Sequence, residues 1–148
     1  MEDGLRELGR LAGVGGAFVC DNAGAVIVSS TPPVLATGTM NTIGREVAQT
    51  FAAAERAGWE STRAEFAYDT WRLVAEDLGP TVLFVVCEED VEMPLVRMTI
   101  DVVTAAWRKD SGVRKQLARQ RATRSAATAT ANFDDVSRQL WRLIESVT

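Results

Sequence analysis

The sequence predicts an α+β fold, an αββαβββα sandwich in which one five-stranded antiparallel sheet lies between helices, followed by a C-terminal helical extension. Three observations carry that expectation. Residues 14–30 read as two short apolar strands around a turn built from Asp21, Asn22 and Gly24, residue types that cap their own backbone or tolerate φ > 0. The run Thr81–Cys87 is apolar throughout, which suits a central strand covered on both faces. Between and around these runs, apolar residues recur every three to four positions, as amphipathic helices require.

Taken in order, Leu5, Leu8 and Leu11 predict a first helix over about residues 2–12, with Glu2 and Asp3 favourable at its start and Gly13 ending it. The hairpin follows, its arms Phe18-Val19-Cys20 and Val26-Ile27-Val28 continuous enough to expect cover on both faces. Thr31-Pro32-Pro33 breaks the second strand. A second helix is expected over about 40–57, capped by Thr39 or Asn41, with Met40, Ile43, Val47, Phe51 and Ala54 on the sheet. Beside that stripe, Gly44, Ala48 and Ala52 form a row of small residues that would let another helix approach, although alanine's helix propensity also explains them.

Three strands follow at Ser61–Tyr68, Trp71–Asp77 and Thr81–Cys87, the first polar enough (Arg63, Glu65) for a sheet edge. A third helix is expected over about 92–108, with Pro94 in its first turn and Leu95, Met98, Val102 and Ala105 or Ala106 buried. These elements make a domain of residues 1–110. Residues 111–148 form a second region: a basic stretch, an Ala/Thr/Ser-rich linker over 122–131, and a last helix capped by Asn132. Phe133, Val136, Leu140, Leu143, Ile144 and Val147 make its narrow apolar face, with Trp141 beside it. Such a helix on a tether needs something to dock on, and Phe133, Leu140, Trp141 and Ile144 are the candidate docking residues.

Composition narrows the chemistry. The 148 residues include no histidine, which removes Ser-His-Asp and Cys-His nucleophile systems and histidine-ligated zinc. Two cysteines, Cys20 and Cys87, lie in apolar runs and read as buried hydrophobes. Gly13-Val14-Gly15-Gly16 precedes a strand and lacks the third glycine of a dinucleotide loop, and no P-loop motif occurs. Glu76-Asp77 and Glu88-Glu89-Asp90 fall at strand ends, where solvated charges are common, and lack EF-hand spacing. Ser29 and Ser30 have no visible base to activate them. No catalytic residue, metal site or cofactor is therefore expected. No apolar run reaches the length of a membrane span, and the acidic N-terminus does not resemble a signal peptide, so a cytoplasmic protein is expected.

The net charge of -4 is unevenly distributed. Residues 1–107 hold 16 acidic and 7 basic side chains, and residues 108–148 hold 4 acidic and 9 basic. The basic stretch from Arg108 to Arg124 could follow phosphates or an anionic surface, but no aromatic lies between Lys109 and Phe133 to stack on bases. Nucleic acid is not the expected partner; a solvated face or an acidic protein is.

The helix Leu5–Leu11, then Gly13-Val14, Gly16-Ala17-Phe18-Val19-Cys20-Asp21, Gly24 and Val26-Ile27-Val28-Ser29-Ser30, together with the later elements in their order, resemble the Roadblock family. That family includes dynein light chains and prokaryotic regulators of Ras-like GTPases, and the resemblance covers about residues 4–108. It implies a non-enzymatic homodimer or heterodimer in which the second helix packs on its mate and adjoining edge strands join two sheets. Gly44, Ala48, Ala52 and Glu55 of the helix and Arg63 and Glu65 of the edge strand would then line the interface. A small Ras-like GTPase is the implied partner. The competing expectation is a small-molecule sensor or scaffold module of profilin-like α/β/α shape.

Overall fold

The computed structural model describes residues 1–60, 62–110, 112, 113 and 115. Its elements are α1 (Glu2–Gly9), β1 (Val14–Asp21), β2 (Val26–Ser29), α2 (Thr37–Arg56), β3 (Arg63–Ala67), β4 (Trp71–Asp77), β5 (Thr81–Glu88) and α3 (Met93–Lys109). The order is the expected αββαβββα. All five strands pair antiparallel in the spatial order β2-β1-β5-β4-β3, so the first and last strands meet in the middle.

Strand alternation divides the core in two. Ala17, Val19, Leu83, Val85 and Cys87 point to the face covered by α1 and α3. Phe18, Cys20, Val82, Phe84 and Val86 point to the face covered by α2. Being covered on both sides is why β1 and β5 read as unbroken apolar runs. The expectation of double cover holds fully for β1 and in part for β2, an edge strand whose four residues are half-buried, Ile27 and Val28 against one core cluster and Val26 against the other.

The hairpin turn is tied by Asp21, whose Oδ1 accepts from the N–H groups of Ala23 and Ala25, both at 2.9 Å. Gly24 has φ +90, and a side chain there would meet the Asn41 carbonyl and Arg45 of α2. Glycine is thus needed twice over, for the backbone and for the contact. That contact seats the start of α2 on the turn.

All three helices differ from expectation: α1 already ends at Gly9, with Arg10 as its C-cap, so Gly13 lies beyond the turn that follows it. α2 begins at Thr37, with Ala36 as an extended N-cap that makes no side-chain cap bond, so neither Thr39 nor Asn41 caps it. Val34 and Leu35, packed on the core, lead the chain into the helix instead. In α3 the buried stripe is Met93, Val96, Ile100, Val103 and Trp107, while Leu95, Met98, Val102, Ala105 and Ala106 face outward. Two apolar stripes compete on this helix, and the one ending in Trp107 wins. Trp107 closes on Gly4 of α1, where an added Cβ would lie 2.8 Å from the indole. The bulkier stripe buries more apolar area. Past α3, Asp110 Oδ1 accepts from the N–H groups of Gly112 and Val113, and Val113 is buried in the α1/α3 core.

Cys20 and Cys87 are both buried, on opposite faces of the sheet, so they cannot pair. Burial pushes the Cys20 thiol up to about 12, with Asp21 adding to the rise. It pushes Cys87 up to about 11, opposed by Arg72. Both thiols should resist a maleimide at pH 8 in native protein and react in denaturant, because the thiolate is the nucleophile. Rapid native labelling of Cys87 would contradict its place on β5.

Candidate functional site

The residues available for contact with another chain lie on α2 and at the β3 edge. Along α2 the row of small residues runs obliquely. Gly44 faces the sheet, and a Cβ there would lie 2.6 Å from Cys20 Sγ. Ala48 is at the margin, 7% exposed, and Ala52 is half-exposed. Glu55 is exposed on the next turn. Gly44 therefore serves the contact of α2 with its own sheet, and the outward part of the row is Ala48 and Ala52.

Among the described residues β3 pairs only with β4, so its other edge is open. Its side chains split by alternation. Ala64 and Phe66, with Tyr68 just beyond, lie half-buried on the α2 face. Tyr68 rests against Trp71, ring centroids 5.2 Å apart. Arg63 and Glu65 point to the opposite face and are held by α3. Arg63 Nε donates to Glu76 Oε2 and its Nη2 to Asp101 Oδ1, each at 2.6 Å. Arg97 grips Glu65 with two bonds of 2.8 and 3.0 Å. The predicted interface residues thus fall on two faces of the sheet: Gly44, Ala48, Ala52 and Glu55 with α2, Arg63 and Glu65 with α3.

Glu76 corrects another expectation. It is not a solvated strand-end charge: the carboxylate is buried against Arg63, its partner in the β3–β4 register. Burial raises the Glu76 pKa, and the Arg63 guanidinium draws it back only in part. For Arg63, burial lowers the pKa, and the bonds to Glu76 and Asp101 more than reverse that. The ion pairs tie β3 to β4 and α3, which no motif in the sequence announced. A cross-strand Arg/Glu pair is the signal that could have revealed them. Glu88, Glu89 and Asp90 are exposed at the β5–α3 connection.

A solvent-open groove of about 420 Å³ lies between α1 and the β1–β2 hairpin, lined by Leu5, Arg6, Arg10, Gly16, Ser29 and Ser30 among others. Among the described residues no helix is long and apolar enough to cross a membrane. Phe133, Leu140, Trp141 and Ile144, the docking residues expected from sequence, lie outside the described residues.

No protein-family model matches the chain, and no curated protein matches its sequence. Solved structures do match. A Roadblock/LC7 domain from Streptomyces avermitilis superposes with a TM-score of 0.62 at 14% identity, over 74% of this chain and 95% of that one. MglB of Myxococcus xanthus does so at 0.60 and 21%, over 70% and 88%. An MglB in a tetrameric arrangement does so at 0.58 and 19%, over 82% and 88%. The helices on both faces and the β2-β1-β5-β4-β3 sheet are thus those of known Roadblock domains, and the chain has the Roadblock/LC7 fold.

Proposed function

We propose that the protein is a non-enzymatic, dimeric adaptor that regulates or anchors a small Ras-like GTPase. The observation that carries this reading is the open β3 edge beside a sheet face that α2 leaves half-covered, at Phe66 and Tyr68, in a chain with the Roadblock/LC7 fold. An edge strand offers a row of backbone donors and acceptors to another chain. Charged side chains often guard such edges, but here Arg63 and Glu65 are drawn toward α3. A second copy can add its own β3 to this edge and its α2 to the half-buried aromatics Phe66 and Tyr68. Ala48 and Ala52 then allow close helix approach.

Light scattering after gel filtration should give a dimer, and Ala52→Glu should shift it to monomer with its circular dichroism unchanged. An unpaired charge buried in the interface costs about 3 kcal/mol or more, over a hundredfold in the dissociation constant. A Ras-like GTPase encoded beside this chain should then bind the wild type with different affinity in its GDP and GTP states, and bind Ala52→Glu weakly. The basic stretch 108–124 should make that binding salt-sensitive, since exposed charges are screened over about 10 Å at 0.1 M salt. A dimer that binds the GTPase in neither state would favour the sensor reading, with the α1–hairpin groove as its ligand site.

A further inference from the structure

The outward stripe of α3 is the largest unexplained feature of the fold. Leu95, Met98 and Val102 are 39%, 57% and 58% exposed, and Ala105 continues the line. Their spacing is three, four, three. That is the alternation of a two-helix seam, in which apolar positions repeat every seven residues. The buried stripe of the same helix, Met93, Val96, Ile100, Val103 and Trp107, has this spacing too but is already filled by its own core, and the alternation recurs near the end of the sequence. Phe133, Val136, Leu140, Leu143 and Val147 are spaced three, four, three, four.

We infer that residues 133–147 dock as a helix, antiparallel, on the α3 stripe of their own protomer. The two patterns fit layer by layer. Ala105 meets Phe133, Val102 meets Val136, Met98 meets Leu140 and Leu95 meets Leu143, with no skipped position. In this register Asp101 and Arg108 flank Gln139 and Asn132, so no like charges meet across the seam. Direction follows from the helix ends. Antiparallel docking places the first turn of the tail helix, with Asp134 and Asp135, at the C-terminal end of α3, about one turn from Arg108 and Lys109, and sets the two helix dipoles in opposite directions. Parallel docking would bring the same aspartates toward Glu88, Glu89, Asp90 and Glu92.

Reach also favours the chain's own α3. Val113 is anchored in the core just past the end of α3, and the tail must begin beside that same end. The Ala/Thr/Ser-rich stretch 122–131 is by itself long enough for a short return, since a flexible linker of ten residues spans about 17 Å on average. The stripe lies on the face of the sheet opposite α2, so this docking is independent of the proposed dimer.

Full-length protein carrying Met98→Cys and Leu140→Cys tests the inference, because both native thiols are buried. Mild oxidation should close a disulfide within one chain, read as faster mobility on a non-reducing gel at unchanged mass. Leu95→Cys with Val136→Cys, far apart in the antiparallel register, should close at least tenfold more slowly. Hydrogen exchange provides a second reading: amides of 133–147 should be protected in the wild type and lose at least tenfold protection in Met98→Glu, with β5 amides unchanged. Disulfides between chains would overturn the proposal in favour of a second copy. Unprotected tail amides in the wild type, or equal closure of both cysteine pairs, would overturn it outright.

Discussion

Phe84→Ala should lower the unfolding free energy by about 3–5 kcal/mol, the usual range for truncating a buried phenylalanine. Phe84 is fully buried on β5 and lies directly across from Phe18 in the β1–β5 register. Their rings stack with centroids 4.8 Å apart and planes 16° from parallel. Both strands sit inside the sheet, so neither backbone can shift to fill the space. Above the rings lies α2, held through Met40, Ile43, Val47 and Phe51. The cavity would therefore open beneath the helix on which the proposed dimer depends. A typical domain has only about 5–15 kcal/mol in all, so the loss is a large share. Urea unfolding should show a lower midpoint at unchanged slope. A loss below 1 kcal/mol would mean that α2 and the sheet can collapse together, against the close packing described.

Much of this was legible in the sequence because the sheet is covered on both faces. Continuous apolar runs marked β1 and β5, and the turn signals at Asp21–Gly24, Asp69-Thr70 and Gly79-Pro80 separated the strands correctly. The position of α2 was legible from the stripe Met40–Ala54, every member of which is buried. The rotation of α3 was not. Leu95/Met98/Val102 and Val96/Ile100/Val103/Trp107 both have helical spacing, and spacing alone cannot rank two stripes on one helix. The ranking comes from Gly4, about a hundred residues away, which admits the indole of Trp107.

The interaction surface was legible in kind more than in detail. Gly44 looked like part of a helix-contact row because its spacing matches Ala48 and Ala52. Its lack of a side chain instead lets α2 settle on Cys20, a fact that depends on the pairing of distant segments. Arg63 and Glu65 share a face by alternation, which the sequence does state. Which face it is depends on where α3 lands, and only the assembled sheet decides that. Glu76 misled for the same reason: a carboxylate near a strand end reads as solvated until the facing strand supplies its arginine.

That arginine is the basis of the second large effect. Arg63→Met should destabilise the fold by about 2–4 kcal/mol at pH 7, less than the 3–5 of a fully buried pair because Arg63 is partly exposed. The Glu76 side chain is only 7% exposed, and without the guanidinium its charge is left in a poorly solvated site. Asp101 also loses a partner, but it is well exposed and can hydrate. The pH dependence identifies the cause. Burial already raises the folded pKa of Glu76, with Arg63 and, more weakly, Arg108 opposing the rise and Asp101 adding to it. A carboxyl with a raised folded pKa contributes stability below its unfolded pKa, about 4.3, and loses it as pH rises through the folded value. Removing Arg63 lifts that folded value further, so the variant's deficit should be greatest near neutral pH and shrink as pH falls toward 4. Adding Glu76→Gln should recover part of the loss at pH 7, since the uncompensated charge is gone. A deficit that stays constant between pH 7 and 4.5, with no recovery in the double variant, would assign the loss to the packing of the arginine stem along β3 instead of to the buried charge.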